Sequence, residues 1–463
     1  MTINVKPFPV LAFESHNPAT GELIGTYAGH DAAEVAARLD HAWSAWRSWS
    51  ALPVERRAEV LVRMADLLDA RVETYATLIT SEMGKPIAEA RGEVKKAASG
   101  CRHFGTAGIA ALDAAPISGL PNASVVYESL GPIFAVMPWN LPFWQVLRFF
   151  APTALAGNTV LVKHAETVQG SARALEDLVA EAGGPQGLYG NLAIPREVAP
   201  AVIADPRIRA VTLTGSVAAG RSVAAEAGRH GKKVVLELGG SDPFLVLEDA
   251  DLERAVQLGV TSRFSNNAQS CIAAKRFILT APIAEAFTQG FVQRAAALKV
   301  GDPMHAETQL GPLARADLRD TVHRQVQAAV AAGARILTGG KPIAGPGNFF
   351  EPTVLDGLDP DAPIAREEFF GPVAMLFTVK DEAVAVAMAN ATEFGLGAAV
   401  WSRDVERARR VARRIEAGCV FVNDFVRSDP RTPFGGVKGS GFGRELGDLG
   451  ARELTNAKLV FVG

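Results

Sequence analysis

Apolar positions along this chain change spacing as it proceeds, and the changes mark its organisation. From Asp31 to Ser50, Val35, Leu39, Ala42, Trp43 and Trp46 recur at the interval of one helical face. Trp43, Trp46 and Trp49 share that helix, where aromatic residues at such spacing are assigned to core packing rather than to a binding surface. A second long helix is predicted from Val54 to about Met83, stopped by Gly84 and Pro86.

From Pro132 the pattern becomes strand–helix alternation. Ile133–Met137 and Thr159–Lys163 read as buried parallel strands, and Val168–Ala182 as the helix after the second. Val211–Thr214 leads into a turn and another helix, and Lys233–Leu238 closes the unit. This is a doubly wound α/β pattern. A second α/β block has strand candidates at Arg276–Thr280, Gly397–Trp401 and Cys419–Val422. Its helices are predicted at Pro282–Leu298, Arg315–Ala332, Glu382–Asn390 and Val405–Glu416. Ala114–Glu128 and the strand-like Leu454–Val462 fit neither block.

A chain of 463 residues exceeds one ordinary core, so two or three domains are expected. The 48% hydrophobic and 21% charged content is that of a soluble globular protein. A net charge of −3 gives no electrostatic reason for a nucleic-acid partner. No apolar run reaches a membrane span, and Met1–Val10 lacks the pattern of a signal peptide. Cys101, Cys271 and Cys419 cannot make a disulfide framework or a metal-ligand pair, which points to a reducing compartment, most simply a bacterial cytoplasm, and to no metal. Cys101 and Cys419 read as structural.

Chemistry gathers around Cys271, preceded by Asn266-Asn267-Ala268-Gln269-Ser270. Glu237 lies 34 positions earlier, ending an apolar strand and followed by Leu238-Gly239-Gly240. A thiol and a carboxylate together can form a covalent intermediate and then activate the water that cleaves it. A buried glutamate at a strand end is costly without a partner or a purpose. Gly215-Ser216, with Gly220, places a small-residue turn at a helix N-terminus, where free amides attract a pyrophosphate, although such turns also occur without a ligand. Lys163-His164-Ala165-Glu166 adds a cation and an acceptor where ribose hydroxyls can bind, with an exposed strand end as the alternative for Lys163. Asn140 precedes Leu141-Pro142 and also suits a helix cap. Glu368, beside Glu367, also suits a surface acidic pair.

These segments resemble the aldehyde dehydrogenase superfamily along essentially the whole chain. The matching motifs, in order, begin with Pro138-Trp139-Asn140, Lys163-His164-Ala165-Glu166, Thr214-Gly215-Ser216 with Gly220, and Glu237-Leu238-Gly239-Gly240. Gln269-Ser270-Cys271, Glu367-Glu368-Phe369-Phe370-Gly371-Pro372 and Pro433-Phe434-Gly435-Gly436-Val437-Lys438 follow. Lys-His-Ala and the Gly-Phe-Gly-Arg-Glu-Leu ending resemble the bacterial succinate-semialdehyde dehydrogenase branch.

The resemblance implies a Rossmann-like NAD(P)-binding domain over 1–113 and 132–239, an α/β catalytic domain over 240–435, and a small β oligomerisation arm over 114–131 and 448–463. It implies Cys271 as nucleophile, Glu237 as water-activating base, and Asn140 with the Cys271 backbone N–H as oxyanion donors. Glu368 and Phe370 would hold the nicotinamide ribose and ring, with Trp139 beside them. Lys163 and Glu166 would contact the adenosine ribose, and Gly215, Ser216 and Gly220 the pyrophosphate turn. Glu166 favours NAD, with NADP tolerated because Lys163 and His164 are potential cations nearby. The expected assembly is a homodimer or homotetramer.

For substrate, the resemblance makes Arg148, eight residues after Asn140, the partner of a distal carboxylate. Its alternative is an ordinary salt bridge. A second arginine of some relatives is Ser265 here, with Arg263 too far back, and Arg427 and Ser428 are expected to compensate. Phe143, Trp144, Phe149 and Phe150 give the same helix a surface that also suits uncharged aldehydes. Ala268 replaces a common glycine and is expected to restrict the loop, and His164 and Asp242 replace commoner residues. Three other readings compete: an acyl-CoA-forming dehydrogenase, opposed by Glu237; a cofactor-free cysteine hydrolase, opposed by the dinucleotide residues; and a non-catalytic homologue, opposed by Cys271 with Glu237.

Overall fold

A computed structural model describes residues 8–463, so most of the Met1–Val10 segment lies outside the described residues. Two mainly parallel sheets carry the chain. The first has six strands in the order Gly441–Phe442, Lys233–Glu237, Ala210–Thr214, Pro132–Val136, Thr159–Lys163 and Tyr189–Asn191. Ala210–Thr214 and Thr159–Lys163 are buried at every position, because helices cover both sheet faces. One face packs on Val54–Ala70, Ile87–Phe104 and Trp144–Leu155. The other takes Val35 and Leu39 of Ala32–Ser50 with Val223 and Ala227 of Val217–Arg229.

The second sheet has seven strands in the order Arg335–Thr338, Thr353–Asp356, Val373–Val379, Ala274–Thr280, Asp242–Val246, Gly397–Trp401 and Cys419–Val422. A three-stranded antiparallel sheet joins Thr455–Phe461, Leu120–Ser129 and Ala115–Ile117, so the two leftover segments pair with each other. Among the described residues, no helix is long and apolar enough to cross a membrane.

Three sequence expectations change. The helix predicted over Val54–Met83 breaks at Arg71 into Val54–Ala70 and Val72–Met83. Lys233–Glu237 does not close its sheet, because Gly441–Phe442 returns to pair beside it, with Gly441 opposite Glu237. Of the tryptophans, Trp49 is core, while Trp43 and Trp46 are half-buried and pack on each other with ring centroids 5.0 Å apart.

The two sheets meet end to end at the residues that the sequence singled out. Asn140, Gly215 and Glu237 sit at or just beyond the carboxyl ends of strands in the first sheet. Cys271 precedes Ala274–Thr280, and Glu368 and Phe370 precede Val373–Val379, at the amino ends of strands in the second. Carboxyl ends of parallel strands are where open α/β sheets bind ligands.

The loop that delivers Cys271 is held in an unusual conformation. Asn266, Asn267 and Ala268 all have left-handed φ values of 58°, 53° and 58°. Asparagine tolerates this region when its side chain bonds locally, but alanine does so at a cost of ~1–2 kcal/mol. Asn267 is fixed through its amide, which donates to Gly84 O at 2.7 Å and Pro312 O at 2.8 Å and accepts from the Gly311 amide at 2.7 Å. Arg263, wholly buried, donates to Ala268 O and Phe369 O, each at 3.2 Å. The surroundings thus over-determine the strained backbone. Ala268→Gly is expected to raise the thermal unfolding midpoint, as a stabilisation of about 1 kcal/mol. Scanning calorimetry checks this, and a lower midpoint would show that the buried Ala268 methyl contributes more through packing than its backbone costs.

Candidate active site

A cavity of about 420 Å³ opens where the sheets meet, lined by Trp139, Asn140, Gly215, Ser216, Glu237, Cys271, Glu368 and Phe370 among others. Eight of the residues singled out from sequence therefore share one space. Gly220, Lys163, Glu166, Arg148, Arg427 and Ser428 lie outside its lining.

Cys271 is partly open to the cavity, yet desolvation pushes its thiol up to about 12, against the opposing charges of Arg148 and Lys275. The resting thiol is protonated at neutral pH, so attack requires removal of its proton. Glu237 supplies the carboxylate. It is 2% exposed, and neither of its oxygens has a hydrogen-bond partner among the described residues. Burial, then the charge of Glu445, raises its pKa well above the carboxylate range, with Arg148 and Arg444 opposing. A buried carboxyl without partners, facing a cavity, is poised for proton transfer near neutral pH.

Asn140 donates one amide hydrogen to Gln269 O at 2.9 Å, which ties it to the nucleophile loop and leaves its second N–H free. Asn266 reinforces the tie by donating to Asn140 O at 3.1 Å and Gln269 O at 2.9 Å. Asn140 is therefore anchored by tertiary contacts, not as a helix cap: Trp144–Leu155 begins four residues later with no side-chain cap. The Cys271 backbone N–H, the other donor expected from sequence, is set by a residue that sequence reading missed. Lys275 donates to Ser270 O at 2.9 Å and Cys271 O at 2.6 Å. A trans peptide directs N–H opposite to C=O, so fixing the Ser270 carbonyl on Lys275 aims the Cys271 N–H away from it.

The cofactor side is built from close approaches. Glu368 accepts the Gly240 amide at 3.0 Å and lies 3.5 Å from Lys275, and a Cβ on Gly239 would stand 2.4 Å from its Oε2. Trp139 and Phe370 meet edge to face at 5.9 Å. Ser216 caps Val217–Arg229 by accepting from the Ala219 amide at 3.3 Å. Gly220 serves helix packing, since a Cβ there would come 2.5 Å from Leu238. Lys163 ends its strand buried, and Glu166 stands exposed at the start of the next turn. His164 is corrected: it is buried against Tyr189 OH at 2.7 Å, and desolvation, then Lys163, pushes it down to about 3, so it is no cation. The helix N-terminus, the exposed Glu166 and the glycine-lined approach to Glu368 fit a dinucleotide across the cavity.

On the other side, Arg148 is wholly buried and already paired, with Nε 2.5 Å from Glu445 and the guanidinium 4.9 Å over the Phe434 ring. The salt-bridge alternative is therefore present, but in the core rather than on a helix surface. Arg427 is half-exposed and pairs with Asp424 at 2.7 Å. Ser428 is buried and accepts from Lys96 at 2.8 Å and Trp144 Nε1 at 3.0 Å. Ser265 is turned back onto Thr261 O at 2.7 Å, and Arg263 is spent on backbone carbonyls, so neither reaches the cavity. Glu445, Lys275 and Lys96 were not singled out from sequence. Glu445 sat within a quoted motif, whereas the two lysines carried no local signal. Among the described residues there is no cluster of three or more His, Cys, Asp or Glu that could hold a metal.

Comparison with known proteins follows the same lines. The model of the aldehyde dehydrogenase family matches residues 10–460. The succinate semialdehyde dehydrogenase [NAD(P)+] Sad of Escherichia coli is 49% identical over 450 residues, 96% of this chain and 97% of that protein. A succinate-semialdehyde dehydrogenase [NADP(+)] of Deinococcus radiodurans is 46% identical over 454 residues, 98% of this chain and 95% of that one. The crystal structure of succinic semialdehyde dehydrogenase from Streptococcus pyogenes with NADP+ superimposes with a TM-score of 0.95 at 37% identity, over 97% of this chain and 100% of that one. With a thiol, an unpartnered carboxyl and two amide donors around one cavity, and a match along nearly its full length, the chain belongs to the aldehyde dehydrogenase family.

Proposed function

We propose that the protein oxidises an aldehyde bearing a distal carboxylate, succinic semialdehyde by preference, to the carboxylic acid with NAD(P) as acceptor. The observation that carries the reaction is the pairing, across one cavity, of the Cys271 thiol with a buried Glu237 that has no partner. Cys271 gives up its thiol proton to solvent, and its Sγ bonds to the aldehyde carbon. The oxygen that becomes negative receives the free Asn140 N–H and the Cys271 N–H, each worth ~10²–10³ in rate. Gly215, Ser216, Glu368 and Phe370 would hold a dinucleotide, which would supply the hydride acceptor, and Cys271 then carries the acyl group as a thioester. Glu237, once ionised, removes a proton from water as it attacks, and the acid leaves with return of the thiol. Glu237 also argues against an acyl-CoA-forming variant, and the dinucleotide cradle against a simple cysteine hydrolase.

NAD is the preferred cofactor in this reading. Glu166 repels a 2′-phosphate, and an uncharged His164 offers it nothing; Lys163 and the relatives named for NADP(+) support tolerance of NADP. The substrate choice is supported by the relatives' names and by the buried cation Arg148, whose charge acts on Glu237 and Cys271. A reducing cytoplasm is the proposed compartment. A homodimer or a dimer of dimers is the proposed assembly, supported by Leu459 and Phe461, which are more than half exposed on the edge strand Thr455–Phe461.

Cys271→Ala is expected to retain below about a thousandth of wild-type turnover. Glu237→Gln is expected to release a burst of reduced cofactor and then stall, its steady state lowered ~10²–10⁴-fold, read by stopped-flow absorbance. Because the Glu237 pKa is raised, its base form appears only as pH climbs above the usual carboxylate range. Wild-type turnover should therefore rise over that span, a limb that Glu237→Gln flattens; equal losses in burst and steady state would assign Glu237 to the first step alone. Wild-type kcat/KM is expected to be at least about tenfold higher for succinic semialdehyde than for butanal. Equality would leave only a general aldehyde dehydrogenase. Comparing the cofactors, NAD should exceed NADP and Glu166→Ser should shift the ratio about tenfold toward NADP, whereas an NADP preference in the wild type overturns the assignment.

A further inference from the structure

Two glutamates one helical turn apart tie together the segments that carry Asn140 and Cys271. Glu89 and Glu93 lie on the Ile87–Phe104 helix at a spacing that puts both carboxylates on one face. Glu93 accepts the Phe143 and Trp144 amides at 2.9 and 3.0 Å, and so holds the turn that follows Asn140. Glu89 accepts the Asn266 amide at 2.6 Å, at the first of the three left-handed residues that lead to Cys271. The turn before the helix adds a further tie, since Gly84 O receives the Asn267 side-chain amide at 2.7 Å. The hold on Asn266 passes inward. Its own side chain donates to Asn140 O at 3.1 Å and to Gln269 O at 2.9 Å, the oxygen that also takes one hydrogen of the Asn140 amide.

The two carboxylates differ in their surroundings. Glu93 is buried and paired with Lys85. Glu89 is half-buried and, among the described residues, has no cation within salt-bridge distance. It borders a second cavity, of about 580 Å³, lined also by Pro86, Val260, Phe264 and Ser265, and does not line the one that holds Cys271. The charged groups facing it are already matched. Lys85 is spent on Glu93, Arg294 of Ala281–Ala296 on Glu253, and Glu307 of the loop beyond on Lys299. Burial raises the Glu89 pKa to about 7, against the Asn266 amide and the charge of Lys85. Above that pH Glu89 is ionised and grips the amide by a charge-assisted bond; below it the acceptor is neutral and weaker.

We propose that Glu89 is a positioning residue for attack on the aldehyde: its carboxylate fixes Asn266, and through Asn266 the direction of the free Asn140 N–H, from outside the cavity that holds Cys271. This rests on the reading of Asn140 as an oxyanion donor given above. Three consecutive left-handed residues persist only where the surroundings over-determine them, and Glu89 supplies the restraint at the first. Without it the buried Asn266 N–H loses its partner, and the loop shifts to satisfy it. A misplacement of about 1 Å at a reacting centre costs ~10²-fold in rate, so a small shift here is read directly in the attack step. Glu93, by contrast, is locked by Lys85 and holds its segment at every pH near neutrality.

The test measures kcat/KM of the full chain with NAD for succinic semialdehyde and butanal, in wild type, Glu89→Gln and Glu89→Leu, each also in an Asn140→Ala background. Glu89→Leu is expected to lower kcat/KM at least about tenfold, by the same factor for both aldehydes, while Glu89→Gln, which keeps an acceptor without the charge, recovers part of the loss. With Asn140→Ala present the same changes should cost less than about twofold, because the donor they position is gone. The ratio of wild type to Glu89→Gln, which cancels titrations common to both, should rise as pH climbs through about 7. If circular dichroism shows Glu89→Leu unfolded, the pH ratio and the Asn140→Ala coupling of Glu89→Gln decide. Unchanged kcat/KM, equal loss in both backgrounds, or a ratio flat with pH overturns the role of Glu89 and leaves the Asn140 reading standing. A wild-type kcat/KM that Asn140→Ala does not lower overturns that reading and this proposal with it.

Discussion

One buried ammonium joins the parts of this site. Lys275, fully enclosed, gives hydrogen bonds to the carbonyls of Ser270 and Cys271 and lies 3.5 Å from Glu368, which also takes the Gly240 amide. Three segments distant in sequence are thereby fixed to one charge: the nucleophile loop, the turn after Glu237, and the loop before Val373–Val379. Removing Glu368 would leave the enclosed Lys275 charge without a carboxylate, which is destabilising. The same contact sets the plane of the Ser270–Cys271 peptide, so the direction of the Cys271 N–H depends on a side chain that does not line the cavity.

Around this anchor the electrostatics set the proton inventory. Glu237 and Glu445 are both buried and share the field of Arg148, with Arg444 acting on Glu237 as well. Arg148 is closer to Glu445, and Glu237 is left with desolvation and a like charge, both of which favour its protonated form. A carboxyl with this environment destabilises the fold as pH rises, since the folded state holds its proton more tightly than the unfolded chain does. That cost is the physical counterpart of a carboxyl that exchanges its proton near neutral pH.

A short stretch of chain carries several of the polar groups held beside the cavity. Asn140 carries the free amide, Trp144 supports Lys96 and Ser428, and Arg148 faces Glu445, all within the turn and first helical turns that follow Pro132–Val136. Trp144–Leu155 is buried along its whole length, as expected of a helix apolar on every side, so its polar positions are held rigidly. The cofactor side is assembled differently, from turns at strand ends, where glycines permit the approach of Glu368 and of the helix capped by Ser216.

The sequence by itself determined the elements and the reactive groups. Periodicity located strands such as Thr159–Lys163 and Gly397–Trp401 and most of the flanking helices, because burial on one helical face or on both sheet faces is a local property of spacing. Motifs named Cys271, Glu237, Asn140 and Glu368, since reactive side chains and the small residues beside them are adjacent in the chain. What only the tertiary structure decided is who pairs with whom. The commitment of Arg148 to Glu445, the neutralisation of His164 against Tyr189, the strut at Lys275 and the bond of Lys96 to Ser428 each depend on the folded arrangement. Charges act through space and burial rather than along the chain, so their partners and their protonation become defined only once the two sheets meet.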